Sequence, residues 1–172
     1  MASRNIPVPY PVNMFVLVRA VVYATLFIGF LLVYLPARFL AWSGIVRPEV
    51  IGGQQIAGMI IVTIGGAIAL WCVFAFVFIG KGTPAPFDPP RKLVIRGPYR
   101  FVRNPMYIGA GIALAGAALF YGSMSILIYA VAFLVAVHLF VLLYEEPTLR
   151  RTFGDDYNEY CSRVKRWLPR KG

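Results

Sequence analysis

Two carboxylates stand side by side where an apolar run ends, in Leu142-Leu143-Tyr144-Glu145-Glu146-Pro147. Acidic side chains at the end of a hydrophobic helix are costly unless they face water or a polar cavity. The C-terminal end of a helix also disfavours anions. Something must compensate: a salt bridge to Arg100 or Arg103, or a cationic or hydroxyl-bearing ligand. Local sequence leaves both open. Cations are concentrated in Gly-Lys-Gly-Thr-Pro-Ala-Pro-Phe-Asp-Pro-Pro-Arg-Lys-Leu-Val-Ile-Arg-Gly-Pro-Tyr-Arg-Phe-Val-Arg-Asn-Pro-Met-Tyr, residues 80–107. Prolines 84, 86, 89 and 90 stiffen this stretch. Residues 92–95 suit a short strand-like piece, and Gly97-Pro98 marks a turn. Asn104-Pro105 reads as a helix start, with Asn as N-cap and Pro first in the helix. An ordered, proline-stiffened cap is one reading; a basic loop that binds anionic lipid headgroups is the other.

Other reactive groups are few. His138 is the single histidine and lies seven residues before Glu145, so both point the same way about two turns apart. Without a second histidine or a cysteine pair, no zinc site is expected. His138 reads as an interhelical hydrogen-bonding residue. Cys72 and Cys161 read as free thiols. Gly80-Lys81-Gly82 is too short for a phosphate loop. No Ser-His-Asp set has credible spacing, and no catalytic residue is singled out.

The elements that must position these groups are membrane helices. The chain has 172 residues, 59% apolar and 14% charged, against about 45–50% and about 25% in a soluble domain. That composition excludes a disordered chain and points to one all-α membrane domain over residues 1–172. Four runs suit spanning helices: residues 15–35, 55–79, 105–120 and 124–144. A bilayer core needs about 20 apolar residues, so the third is marginal. Gly122 and Ser123 suit a tight turn between the last two. The N-terminal stretch, with one basic residue and three prolines before a long apolar run, is read as a tail before a span rather than a cleavable signal. Gly58, Gly65, Gly66 and Ala69, and Gly109, Ala113 and Ala117, let backbones approach closely in lipid.

The net charge is +10. It sits beside the apolar runs, so it suits a membrane surface rather than nucleic acid. Six Lys and Arg lie in residues 80–104 and seven follow Glu145, against Arg38 and Arg47 between the first two spans. With four spans, the basic segments share the side of the N-terminus. The positive-inside rule makes that side, both termini and the site between them cytoplasmic. Arg19 is placed to snorkel to the interface. After Pro147 the chain reads as a short helix ending near Gly154 and a second one capped by Asp155. Tyr157, Tyr160 and Val164 fall on one face, giving an amphipathic tail on the membrane surface.

From about residue 80 to 170 the sequence resembles the isoprenylcysteine carboxyl methyltransferase and phospholipid methyltransferase superfamily. The resemblance rests on Leu93-Val94, Gly97-Pro98-Tyr99-Arg100 and Arg103-Asn104-Pro105-Met106-Tyr107. After a two-span spacer come Glu145-Glu146, Phe153-Gly154, Tyr157 and Tyr160. It implies an S-adenosylmethionine site on the cytoplasmic side, formed by residues 80–107 and 141–170. By position it implies cofactor contacts from Lys92, Leu93, Val94, Tyr99, Arg100, Asn104, Pro105, Met106, Tyr107, Glu145 and Glu146, and less directly from Gly80 and Gly82. Asn104 stands where the superfamily usually has His, as in the phospholipid enzymes. Val141 stands where the eukaryotic prenylcysteine enzymes place a substrate-binding Arg, which argues against that substrate.

The resemblance implies methyl transfer to a lipophilic small molecule or lipid arriving laterally from the bilayer. Such an in-line displacement relies on positioning, which can supply about 7–11 kcal/mol. A thiolate or carboxylate acceptor needs no protein base; an amine or hydroxyl does. Tyr99, Tyr107 or Tyr144 is placed to face a sulfonium by cation–π attraction. Two rivals stand beside this expectation: an NADPH-dependent membrane reductase related to sterol reductases, and a non-catalytic protein binding anionic lipid.

Overall fold

The computed structural model describes residues 28–45, 48–80 and 92–169, together with positions 14, 18, 22, 25 and 26. Nine of the 21 residues of the first expected span, Arg19 among them, lie outside these residues. So do Arg47, Lys81, Gly82, the four loop prolines and Arg91.

The described chain is all-α, with no strand among the described residues. Helix α1, Gly29–Trp42, opens as a π-helical turn and runs seven residues past its expected end at 35. Helix α2 is Gly53–Gly80, α3 is Pro105–Tyr121 and α4 is Met124–Arg163. Two of these, α2 and α4, are long and apolar enough to cross a membrane. Only 28% of the apolar window of each is buried, so neither is the core helix of a soluble domain. The exposed positions carry large apolar side chains: Trp71, Phe74 and Phe78 on α2, and Ile128, Val131 and Leu139 on α4. Unpartnered groups of that size are stable against lipid and not against water.

Helices α2 and α3 meet along the small-residue stripe. A methyl group built on Gly65 would lie 2.5 Å from the Ala113 amide nitrogen and the Gly109 carbonyl oxygen. Those are backbone atoms and cannot yield, so only glycine fits. Gly58, Gly109 and Gly116 make similar approaches, whereas Gly66 faces open space. The α3–α4 hairpin is as the sequence implies. Gly122 closes α3 in the left-handed region at φ 59°, and the Ser123 Oγ accepts from the Ile126 amide at 3.3 Å to open α4. Helix α1 packs on α4, where the Tyr129 hydroxyl donates to the Leu31 carbonyl at 2.8 Å.

Helix α4 does not stop at Tyr144. Residues Val141–Glu145 form a π-helical turn and the helix continues through Pro147. Proline normally removes a ladder hydrogen bond and clashes with the turn before it. Here that turn is already widened, and such turns tolerate irregularity within a helix. The break comes at Gly154, φ 52° and ψ −123°, a conformation closed to residues with a Cβ.

Three expectations change. Residues 92–95 form no strand: Lys92 lies in a bend and residues 93–95 have no regular structure. Leu93 packs on the tail and Val94 on the α2 side, so alternating side chains tie two elements together. Asn104 precedes Pro105 as the cap residue, yet its side chain caps nothing. Its Nδ2 donates instead to the Arg166 carbonyl at 3.3 Å. The apolar face of the tail is not offered to the membrane: Tyr157, Tyr160 and Val164 are buried against Leu93, Leu149 and Phe153.

Candidate functional site

The carboxylates lie just past the apolar part of α4, which ends at Tyr144. Their environments differ. Glu146 is buried, with its side chain 8% exposed. The Arg166 guanidinium grips it with two donors, Nε to Oε1 at 2.7 Å and Nη2 to Oε2 at 2.8 Å. The Nη2 of Arg103 adds a third contact at 3.0 Å. Burial pushes the Glu146 carboxyl up, but the Arg166 hydrogen bond and the Arg103 and Arg166 charges outweigh it and hold the group below the usual carboxylate range. Arg103 also touches the Cys161 thiol, and its buried Nε has no hydrogen-bond partner among the described residues.

Glu145 accepts one hydrogen bond, from the Tyr107 hydroxyl at 3.1 Å. No cation among the described residues pairs with it. Burial pushes its carboxyl up to about 7, with the Tyr107 hydrogen bond opposing and the neighbouring Glu146 charge adding to the rise. One residue apart on one helix, a clamped carboxylate therefore sits beside one with a neutral partner.

The loop half of the site is held from both sides. Gly97–Arg100 forms a 3-10 turn begun by Gly97 in the left-handed region and Pro98. That turn buries Tyr99 edge-on against Phe76, ring centres 5.5 Å apart, beside Cys72, Ala75 and Val94. Met106 packs on the same cluster. From the tail, the Tyr160 hydroxyl donates to the Tyr99 carbonyl at 2.7 Å. The Arg103 amide donates to the Lys165 carbonyl at 2.9 Å. At the loop's start, the Lys92 amide reaches the Gly80 carbonyl that ends α2, at 3.3 Å.

Val94, Tyr99, Asn104, Pro105, Met106, Tyr107, Glu145 and Glu146 thus gather around the start of α3 and the middle of α4. Lys92 and Arg100 are exposed, and Leu93 faces the tail. Tyr144 is exposed and stacks on Phe140. His138 makes the expected hydrogen bond, but to the tail: Trp167 Nε1 donates to its Nδ1 at 3.0 Å. No group of three metal-ligating side chains occurs among the described residues. Sequence reading missed Arg166 and Trp167 and named Tyr160 without its partner. Their only signal was a basic, aromatic tail, which does not say what the tail touches.

The arrangement is a partly buried carboxylate held by one tyrosine hydroxyl and by no cation among the described residues, which suits a cationic ligand. Its chemistry agrees with the comparisons to known proteins. No curated protein matches the chain. The profile of the phospholipid methyltransferase family matches residues 54–156, well over half the chain, from the first turn of α2 to just past Gly154. That stretch holds the loop, Tyr107 and both carboxylates, while Tyr160, Arg166 and Trp167 fall beyond it. The chain therefore belongs to the phospholipid methyltransferase family.

Proposed function

We propose that this protein is a multi-pass membrane methyltransferase that uses S-adenosylmethionine and methylates a lipid or lipophilic small molecule, with its site and both termini on the cytoplasmic side. The observation that carries this reading is Glu145, a carboxylate with a tyrosine hydroxyl as its partner and no cation among the described residues. The donor set fits the group. Glu145 is suited to the cofactor's ammonium or hydroxyls, and the Arg103 Nε–H, without a partner among the described residues, is suited to a carboxylate. When bound, the cofactor supplies an electrophilic methyl on a sulfonium.

The protein's own residues supply the setting. Tyr99 and Tyr107 present aromatic faces that attract a cation. Lys92, Leu93, Val94, Arg100, Asn104, Pro105 and Met106 line or brace the loop half. Glu146 is assigned a positioning role, because both its oxygens are held by arginines. Val141 is wholly buried in the α3–α4 core, so no substrate-binding cation stands there. That argues against a prenylcysteine carboxylate and favours a lipid.

Calorimetric titration of detergent-purified protein tests the reading. S-adenosylmethionine should bind and NADPH should not. NADPH binding alone would support a reductase. Binding of neither, with salt-sensitive binding to anionic vesicles, would support the non-catalytic alternative.

A further inference from the structure

Helix α2 has 28 residues and is therefore about 42 Å long, against a hydrocarbon core of about 30 Å. Polar Gln54 and Gln55 mark one edge of that core, so about eight residues at the other end stand beyond it. Helix α3 shows where that second edge runs. A methyl group built on Gly109 would lie 2.9 Å from the Ala69 amide nitrogen. Pro105, one turn nearer the site, therefore comes level with Trp71 and Cys72. Polar side chains begin there, with Arg103 and Asn104 just ahead of Pro105. Trp71 is 59% exposed and stands at the edge, where interfacial tryptophans are enriched. Residues 72–80 rise from it into the headgroup layer.

The loop lies in the same layer. A methyl group built on Gly97 would lie 3.3 Å from the Trp71 indole nitrogen, and Tyr99 packs on Cys72 and Ala75. The exposed groups around this turn are of two kinds: the cations Arg96 and Arg100, and the apolar Ile95 and Phe101. Neither arginine pairs with a carboxylate among the described residues. Residues 92–104 contain no Asp or Glu, and the exposed carboxylates Asp155, Asp156 and Glu159 belong to the tail. A 3-10 turn rises about 2 Å per residue, so the two arginines start about 8 Å apart, within reach of one phosphate. The indole N–H beside them has no partner among the described residues. Toward the bilayer centre, Ile64 and Ala67 share the Trp71 face of α2 and are exposed. We propose that this face holds an anionic phospholipid of the cytoplasmic leaflet, with its phosphate between Arg96 and Arg100 and an acyl chain along Trp71, Ala67 and Ile64, and that the bound lipid braces the loop half of the site. A soluble polyanion would match the charge but leave Ile95 and Phe101 uncovered, whereas a phospholipid supplies both halves of the complement. This lipid is an accessory ligand, neither the methyl acceptor nor consumed, so the inference goes beyond the methyltransferase reading.

The test uses the full-length protein in phosphatidylcholine nanodiscs with or without phosphatidylglycerol. Arginine modification by phenylglyoxal is followed by peptide mass spectrometry. Phosphatidylglycerol should slow modification of Arg96 about fivefold, or ~1 kcal/mol, the attraction of one cation for an anionic leaflet. Arg163, an exposed arginine of the tail, should react as before. Hydrogen exchange of residues 94–101 should slow alongside the Arg96 protection. In native mass spectrometry Arg96→Gln should retain about fivefold less phosphatidylglycerol than the wild type. Arg163→Gln, which removes the same charge from the tail, should retain as much as the wild type. No protection of Arg96, equal protection of both arginines, or equal loss from both variants would leave only diffuse attraction and overturn the proposal. Unchanged hydrogen exchange would overturn the bracing. S-adenosylmethionine enters none of these measurements, so failure to bind it would remove the methyltransferase reading and leave the lipid site standing.

Discussion

Glu145 and Glu146 share a helix, a charge and an address, and differ in what faces them. Glu146 meets two guanidinium groups that approach from the loop and from the tail. Glu145 meets a phenol on α3. A carboxylate whose oxygens are saturated by fixed cations holds elements together and has little left to give a ligand. One with a single neutral partner retains lone pairs and charge to give. Neighbours in sequence can thus divide structural and binding work, and the division is read from partners rather than residue type.

Removing the clamp should have the largest effect. Glu146→Ala leaves the Arg103 and Arg166 cations without their counter-charge, and breaking a buried pair costs about 3–5 kcal/mol. Thermal unfolding in detergent should register a lower melting temperature. An unchanged value would mean that Glu146 is not the strut described here. Glu145→Gln should do the reverse. Its stability should not fall while S-adenosylmethionine affinity drops about tenfold to hundredfold, the range for losing a hydrogen bond to a charged group. Calorimetry beside the melting curve separates the two carboxylates directly.

The pair should also respond oppositely to pH. The folded protein lowers the Glu146 carboxyl, so its contribution is complete above the ordinary carboxylate range and is lost as pH falls through the lower folded value. The Glu145 carboxyl is raised to about 7. Its contribution is complete below its ordinary value and is lost as pH rises through about 7. Denaturant unfolding of wild type and Glu145→Gln should therefore diverge above about pH 4.5 and stay apart beyond about pH 7. Parallel curves would refute the asymmetry. The smallest change should come from Tyr107→Phe, which removes one hydrogen bond to Glu145 at about 1 kcal/mol. A loss as large as that of Glu146→Ala would make Tyr107 part of the framework.

Much of this was readable from the chain. Apolar run length marked α2, α3 and the apolar part of α4. Gly122-Ser123 marked the hairpin and Gly154 the break in the tail, because glycine and serine act locally. Arg103 was named, with Arg100 as the alternative, as a partner for the carboxylates, since the charge count puts both segments on one side. Arg166, Tyr160 and Trp167 were not paired with Glu146, Tyr99 and His138. Those contacts span 20 to 61 residues of sequence and leave no periodic trace. Asn104 stands at the cap position that its type and its place before proline imply, but its side chain bonds the Arg166 carbonyl instead of capping the helix. Pro147 suggested a helix boundary because the widened turn that accommodates it has no sequence signature.

Gly154 has a consequence for the order in which the molecule is made. A straight helix would carry residue 166 about 30 Å beyond residue 146. The bend turns the chain back so that Arg166 grips Glu146. During synthesis Arg103 and Glu146 emerge early, and their second guanidinium arrives only after the ribosome has added twenty more residues and the chain has doubled back. Until then the acidic strut is half-clasped, so nascent chains stalled before residue 166 should be cut by protease in the loop and protected once it has been released.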